Sequence, residues 1–529
     1  MHISFRKLPY GTPCPSSALN TMFLVQDNWD DYSYKTLFTI YFFDQSGMKH
    51  EIGNTKIGYV GQPIGWTESR IPEEFTHLPE DFFSLGQDSD FYRAVYKVSS
   101  DTDFTVEEIL GPIRDVSLRN EYLKVAEHQD VFKTSLLRTV EQSSITQQFS
   151  RLLRDEAPWS KYAFLYERKS TQDYAGLTLE FDTKQDSEPP TNIHILIGRN
   201  GVGKTTILNN MVNSLLPERS GIESIGEFII IHHSPFITKR SPITNDYFAG
   251  IVSVSFSAFD PFIPPKDRSD LSQGVRYRYI GLKKETFNNT WSMKNTEDLG
   301  KDCAESLKIC LALSSKRRRW LDAVKTLQSD PNFSEMPLSE LVERFDGDLS
   351  ETKMNFEADA KHLFSRMSSG HSIVLLTITS LIETVEEKTL VLIDEPESHL
   401  HPPLLSAFTR ALSDLLKNRN GIAIIATHSP VVLQEVPRTC VSILNRTRLN
   451  LRVDRPNIET FGENVGVLTR EVFELEVKKS GFHNVLDNSV KDGLSYDDIL
   501  ARFKQQLGFE GRALLRAMVS NHHRVGGDK

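Results

Sequence analysis

Five short apolar runs punctuate the chain from residue 193 onward: IHILI (193–197), EFIIIHH (227–233), IVSVSF (251–256), TLVLID (389–394) and GIAIIAT (421–427). Most are apolar at nearly every position rather than alternating, the pattern of strands covered on both faces. Helical periodicity lies between several of them, which predicts an α/β core with a largely parallel sheet. A polar, proline-containing stretch, DTKQDSEPPTN (182–192), delivers the chain into the first run. The first 160 residues read differently, mixing short strand-like runs with helical stretches such as LLRTVEQSSITQQFSRLLRDEA (136–157). There, KTLFTIYFFDQSGMKHEIGNTKIGYV (35–60) alternates on either side of DQSG, which suits a hairpin. Between IVSVSF and TLVLID, residues 296–364 are rich in Lys, Glu, Leu and Ala with helical spacing and read as a long helical insertion. Beyond residue 478 short helical patterns lead to HHRVGGDK. No internal repeat is visible.

Composition narrows the class without deciding it. The chain has 529 residues, 39% hydrophobic and 25% charged, as in ordinary globular proteins. Its net charge of -10 gives no blanket attraction to nucleic acid, so such contact needs a local patch. The four cysteines, Cys14, Cys303, Cys310 and Cys440, lack the spacing of a metal site; Cys303 and Cys310 share a helical face and read as core. A reducing, cytoplasmic setting is expected. No apolar run reaches the roughly 20 residues that span a bilayer. The start, MHISFRKLPYGTPCPSS, has no apolar signal region, so no membrane role is expected.

Chemistry enters after the first buried strand. GRNGVGKT (198–205) fits G-x-x-x-x-G-K-[ST] between a strand and a helix, the pattern of a loop that cradles phosphates. Gly198, Gly201 and Gly203 permit backbone angles that let successive N–H groups converge on phosphate oxygens. The predicted nucleotide-binding residues are Asn200, Gly201, Gly203, Lys204, Thr205 and Thr206. Lys204 carries positive charge to the β and γ phosphates, and the Thr205 hydroxyl is placed for Mg²⁺. TLVLIDEPESHLHP (389–402) ends a buried strand on two acids. Asp394 is the expected metal carboxylate and Glu395 the expected general base toward an attacking water. His399 and His401 follow as an H-x-H pair and read as structural or hydrogen-bonding groups, and no role is assigned to Glu397. The run GIAIIATHSP ends on His428, placed to touch the γ-phosphate or orient water. A lone His after a strand would be structural; its place after the other two motifs argues for catalysis.

GRNGVGKTT, LVLIDEPE and IIATHSP, in that order, resemble the ATPase heads of the ABC class, in particular the branch containing RecF, Rad50 and SMC proteins. The resemblance spans about residues 174–430. It implies a P-loop NTPase of the ABC/SMC-head type binding ATP with Mg²⁺, and the insertion falls where that branch carries helical arms. It also gives meaning to MSSGH (367–371), which occupies the place of the family's L-S-G-G-Q signature; Ser368 and Gly370 match, and Met367, Ser369 and His371 depart. In the family this segment binds ATP held by the opposite subunit, so Ser368, Ser369 and Gly370 are expected to act in trans within a head-to-head dimer or higher oligomer. A Ser cap on the helix that follows is true on either reading. Gln273 is the candidate magnesium-sensing glutamine. The expected division is an N-terminal mixed α/β region (1–165), a lobe with the phosphate loop (166–295), the helical insertion (296–360), a lobe with signature, acid strand and His-ending strand (361–477) and a helical tail (478–529).

A narrower likeness adds SFSAFDPF, MSSGHSIVLLTI, DEPESHLHPPLLSAF and ETFGENVG to LPEDFFSLGQDSDFYRAV near the start. Together these resemble the PtuA-type ATPases of bacterial Septu anti-phage systems. That resemblance implies a regulatory ATPase controlling a partner HNH nuclease, in some systems joined by a retron reverse transcriptase and its DNA. The pair Asp497 and Asp498 reads as a helix N-terminus, so no intrinsic nuclease is expected. Two other functions stay open: a RecF- or SMC-like DNA repair or clamping ATPase, and a scaffold holding nucleotide as a structural ligand. The first draws on SSKRRRWLDAV (314–324), where Lys316, Arg317, Arg318 and Arg319 could contact nucleic-acid phosphates beside Trp320.

Overall fold

The computed structural model describes residues 2–140, 142–154, 162–172, 175–184, 187–216, 225–233, 238–244, 247–258, 260–268, 275–286, 290–346, 350–448, 450–477 and 481–526. At its centre is a seven-stranded sheet. Its spatial order is Arg276–Gly281, Gly250–Ser255, Thr389–Asp394, Ile422–Thr427, Ile193–Gly198, Val441–Thr447 and Asn450–Asp454. The first six strands run parallel and only the last is antiparallel. Continuous apolarity has its expected cause, because successive side chains point to opposite covered faces. Ile193, Ile195, Ile197, Val391 and Ile393 enter a core shared with helices, whereas Leu196, Leu390 and Leu392 enter a second core on the other side. The resulting three-layer α/β arrangement is that of a P-loop NTPase.

The run EFIIIHH is a correction to the sequence reading. It forms the strand Glu227–His233 in a separate four-stranded antiparallel sheet with Leu177–Thr183, Tyr162–Arg168 and Thr238–Pro242. An aromatic cluster of Phe164, Phe181, Phe228 and Phe248 fixes that sheet over the second core.

The segment read as a helical insertion is helical and packs on the head. Helices Thr296–Ala312, Ser314–Leu327, Leu338–Asp346 and Ser350–Arg366 fold back against the central sheet's first core. Cys303, Leu307, Cys310, Trp320, Phe345, Phe356 and Phe364 share that core with Leu375 and Ile378. Trp320 is fully buried and donates its ring N–H to Thr379 Oγ1 at 3.0 Å.

The N-terminal region builds its own six-stranded sheet, in the order Glu74–Phe75, Ser4–Leu8, Thr21–Gln26, Leu37–Phe43, Lys49–Tyr59 and Phe82–Gly86. Leu37–Phe43 and Lys49–Tyr59 form the antiparallel hairpin expected from DQSG. Asp44 Oδ1 closes its turn by accepting the Ser46 and Met48 N–H groups at 2.8 and 3.0 Å. Inside this body Lys56 and Asp31, both buried, pair at 2.7 Å.

This body docks at the edge of the central sheet where the parallel strands begin. Arg93 pairs with Glu387 and reaches the Asn418 carbonyl, just ahead of Thr389–Asp394 and Ile422–Thr427 respectively. Asp90 accepts from Arg319 at 2.6 Å and from Arg419 at 2.8 Å. The tail packs a small core of Leu486, Val490, Ile499, Leu500 and Leu515. There Ser495 and Asp498 form a capping box, so the SYDDIL acids do sit at a helix start.

Candidate functional site

The three sequence motifs meet at the opposite, carboxyl edge of the sheet, where loops of open α/β sheets converge on ligands. Ile193–Gly198 feeds the phosphate loop, which turns into helix Lys204–Leu215. Gly201 and Gly203 take φ of +80° and +99°, a region closed to most side chains. Asn200 is exposed on the rim, and Thr205 and Thr206 are half-buried at the helix start. Lys204 Nζ donates to the carbonyls of Gly198 and Arg199 at 2.9 and 3.2 Å. Burial lowers its pKa, opposed by the nearby Glu395, Glu397 and Asp394 carboxylates.

Asp394, only 8% exposed, shares a hydrogen bond with Thr205. Its Oδ1 is buried with no hydrogen-bond partner. Burial pushes this carboxyl up to about 7; the Thr205 hydrogen bond opposes the rise, and Glu395 and Asp260 add to it. A buried acid with an orphan oxygen next to a hydroxyl fits a hard divalent cation, which would neutralise it. Among the described residues no three His, Cys, Asp or Glu side chains form an all-protein cage. Mg²⁺ characteristically takes one or two carboxylates and completes its shell with water and substrate phosphates.

Glu395 occupies the left-handed region at φ +46°, costing about 1–2 kcal/mol for a non-glycine residue. Its N–H donates to the Ala426 carbonyl at 2.8 Å, which holds the strained turn against the neighbouring strand. His428 Nδ1 lies 3.8 Å from Glu395 Oε1 and 3.0 Å from Glu397 Oε1. Glu397 is the group the sequence reading left without a role. Its Oε1 accepts from Thr427 Oγ1 and from the His428 N–H, both at 2.6 Å, so it ties the acid-strand exit to the histidine. Nδ1 is the ring nitrogen that faces these carboxylates, which leaves Nε2 for another partner. The only cue in the sequence was an acid three residues after Asp394, which spacing alone does not distinguish from a solvated one.

The signature segment caps a helix and also meets the acid loop. Ser368 is the N-cap of helix Ser369–Thr384, and Ser368 and Ser369 are exposed. Its Oγ lies 2.5 Å from His371 Nδ1, and His371 Nε2 lies 3.1 Å from Asp330 Oδ1. The other Asp330 oxygen is 2.8 Å from His401 Nε2. His399 lies 3.4 Å from the Phe256 carbonyl, so the H-x-H pair serves two different partners. Gly370 is obligatory, because a Cβ there would stand 2.4 Å from the His399 carbonyl oxygen. Among the described residues no hydrogen bond or ion pair joins Ser368, Ser369 or Gly370 to the phosphate loop of the same chain. Gln273 lies outside the described residues.

The basic run 316–319 does not form a nucleic-acid patch. Lys316 and Arg319 are 2% and 7% exposed. Lys316 pairs with Glu386, Arg317 with Asp346, and Arg319 with Asp90. Only Arg318 is largely solvent-facing. Arg319 docks the N-terminal body through Asp90, whereas Lys316 and Arg317 pair with acids outside that body; ions as deep as Lys316 and Arg319 require such partners.

Comparison with known proteins decides the family. Protein ea59 of Escherichia phage lambda is 46% identical over 532 aligned residues, covering 98% of each chain. The chain belongs to the ea59 family. Within this ea59-family chain, residues 269–434 match the domain family described as "AAA domain, putative AbiEii toxin, Type IV TA system". Among solved structures, an ATP-binding cassette of an ABC transporter in its ADP conformation is 14% identical, with a TM-score of 0.29, covering 60% of this chain and 99% of that one. The SMC head domain from Thermotoga maritima is 11% identical, with a TM-score of 0.29, covering 56% and 100%. Among the described residues of the ea59-family chain, no helix is long and apolar enough to cross a membrane.

Proposed function

We propose that this ea59-family protein binds and hydrolyses ATP with Mg²⁺ and works as a head-to-head pair. The carrying observation is the convergence of Lys204, Thr205, Asp394, Glu395 and His428 at one sheet edge, with a buried, partnerless carboxylate oxygen among them. Asn200, Gly201, Gly203, Lys204, Thr205 and Thr206 would cradle the phosphates, and Thr205 and Asp394 would hold the metal. Bound Mg²⁺ supplies charge neutralisation at the β and γ phosphates. Glu395 accepts the proton of the attacking water, and His428, oriented by Glu397, holds that water or the γ-phosphate. Ser368, Ser369 and the Gly370 backbone would reach the nucleotide of a second copy. The placement of the N-terminal body is compatible with this reading, because its ion pairs with Glu387, Arg319 and Arg419 lie at the opposite edge of the sheet.

The Septu resemblance, together with a homologue carried by a phage, supports a regulatory role in phage–host conflict, in which the ATPase holds or licenses an HNH nuclease, with or without a reverse transcriptase and its DNA. The DNA-clamping alternative draws less support, since Lys316 and Arg319 of its basic run are buried in ion pairs.

Two experiments test this. Glu395→Gln should slow phosphate release by about 10²- to 10⁴-fold and accumulate an ATP-bound dimer visible by mass photometry. A parent that releases no phosphate, with a variant that behaves identically, would reduce the nucleotide to a structural ligand. Purification of the chain with its neighbouring gene products should recover an HNH protein in stoichiometric amount. Recovery of the chain alone would remove the nuclease-control reading.

A further inference from the structure

The segment SFSAFDPF follows the strand next to the acid strand, and its acid has no part in the site described so far. Gly250–Ser255 runs parallel to Thr389–Asp394, in a register that sets Ser255 directly beside Asp394. Past Ser255 the chain turns back, with the Asp260 N–H donating to the Ser257 carbonyl at 3.4 Å. Lys283 Nζ clamps the turn by donating to the Asp260 carbonyl at 2.7 Å and to the Phe262 carbonyl. The Asp260 carboxyl is itself fixed, Oδ1 accepting the Phe262 N–H at 2.9 Å and Oδ2 the Ser255 hydroxyl at 3.3 Å.

Asp260 and Asp394 line one cavity of about 30 Å³, together with Asn209, Ser253 and Ser255. A space of that size is roughly twice the 10–15 Å³ that one water needs, so it admits a water or a small ion. Asp394, whose Oδ1 is buried without a partner, is one of the residues lining this cavity. Two carboxylates lining one cavity repel each other unless a cation or its bound water lies between them.

We infer that Asp260 is a second carboxylate of the divalent-cation site, acting with Asp394 on the metal that accompanies the nucleotide, directly or through a metal-bound water. The inference rests on the nucleotide reading above. It assigns to an acid the metal-sensing place that the sequence reading gave to Gln273. Hard divalent cations accept such oxygen donors, and a site with two carboxylates and phosphates needs no further protein ligand.

The test uses the full-length chain with Mn²⁺ as the spectroscopic substitute for Mg²⁺. Free Mn²⁺ is followed by electron paramagnetic resonance while protein is titrated in the presence of a non-hydrolysable ATP analogue. Nucleotide affinity is measured separately in EDTA, and folding is checked by thermal melts. Asp260→Asn should weaken Mn²⁺ in the ternary complex about tenfold, Asp260→Glu should recover part of it, and metal-free nucleotide affinity should stay at the parent value; Mn²⁺ affinity within about twofold of the parent would overturn the proposal. Loss of metal-free nucleotide affinity together with a lowered melting temperature would also overturn it, leaving Asp260 a loop anchor. A parent that binds no nucleotide in EDTA or with Mn²⁺ would overturn the nucleotide reading itself, a pattern distinct from either result.

Discussion

Asp394 ionises at a cost in the ligand-free protein, and that cost has a sign. Its folded-state pKa of about 7 lies above the value near 3.9 of an unfolded aspartate. The folded chain therefore holds an extra proton between those values, and this group's contribution to stability falls as pH rises through that window. Asn cannot ionise, so Asp394→Asn should melt about 2 °C above the parent or more at pH 8 without nucleotide. Near pH 5, where the folded carboxyl is protonated but the unfolded one is still mostly ionised, the gain should shrink to about a third, and it should vanish only below the unfolded value near 3.9. Differential scanning calorimetry at the two pH values checks this, and an equal gain at both would show that Asp394 does not titrate there. Phosphate release should be lost in the variant at either pH. The motif residues were legible because each residue type has one demanding job. Glu397 and Asp260 were not, because their partners are Thr427, His428 and Ser255, whose proximity only the strand register creates.

Among elements, the signature helix is tightly constrained at its start. Its N-terminus rests against the turn Pro396–His399, and the 2.4 Å approach at Gly370 leaves no space for a methyl group. Gly370→Ala should cost about 1–3 kcal/mol through backbone displacement. It should also abolish ATP-dependent dimers in mass photometry while one chain still binds nucleotide. Unchanged dimerisation would remove the segment from the interface between copies. Strand and helix identities were largely readable from periodicity, but their destinations were not. EFIIIHH is as apolar as its neighbours, yet it pairs antiparallel with Tyr162–Arg168 in another sheet. Helical spacing over 296–364 revealed amphipathic helices without saying whether their apolar faces would extend as an arm or fold onto the head.

For the whole molecule, one carboxylate of the N-terminal body, Asp90, compensates two buried guanidiniums of the head. Asp90 serves Arg319 and Arg419, of which Arg419 is fully buried. Removing it leaves two guanidiniums uncompensated, so Asp90→Ala should destabilise the protein by about 3 kcal/mol. Chemical denaturation would measure this, and a loss under about 0.5 kcal/mol, typical of a surface pair, would contradict the assignment. The sequence could not reveal this link, since Asp90 and Arg319 are 229 residues apart and a basic run looks the same whether solvated or buried. The other end of the molecule carries a link of a different kind. Asp330 grips His371, beside the exposed signature serines, with one oxygen and His401, six residues beyond Glu395, with the other. In the closed pair proposed above, the serines would touch the partner's nucleotide while Glu395 would attend to the chain's own. One carboxylate would then join two halves of different active sites within a single chain, and occupancy at one site would be felt at the other as cooperativity in ATP turnover.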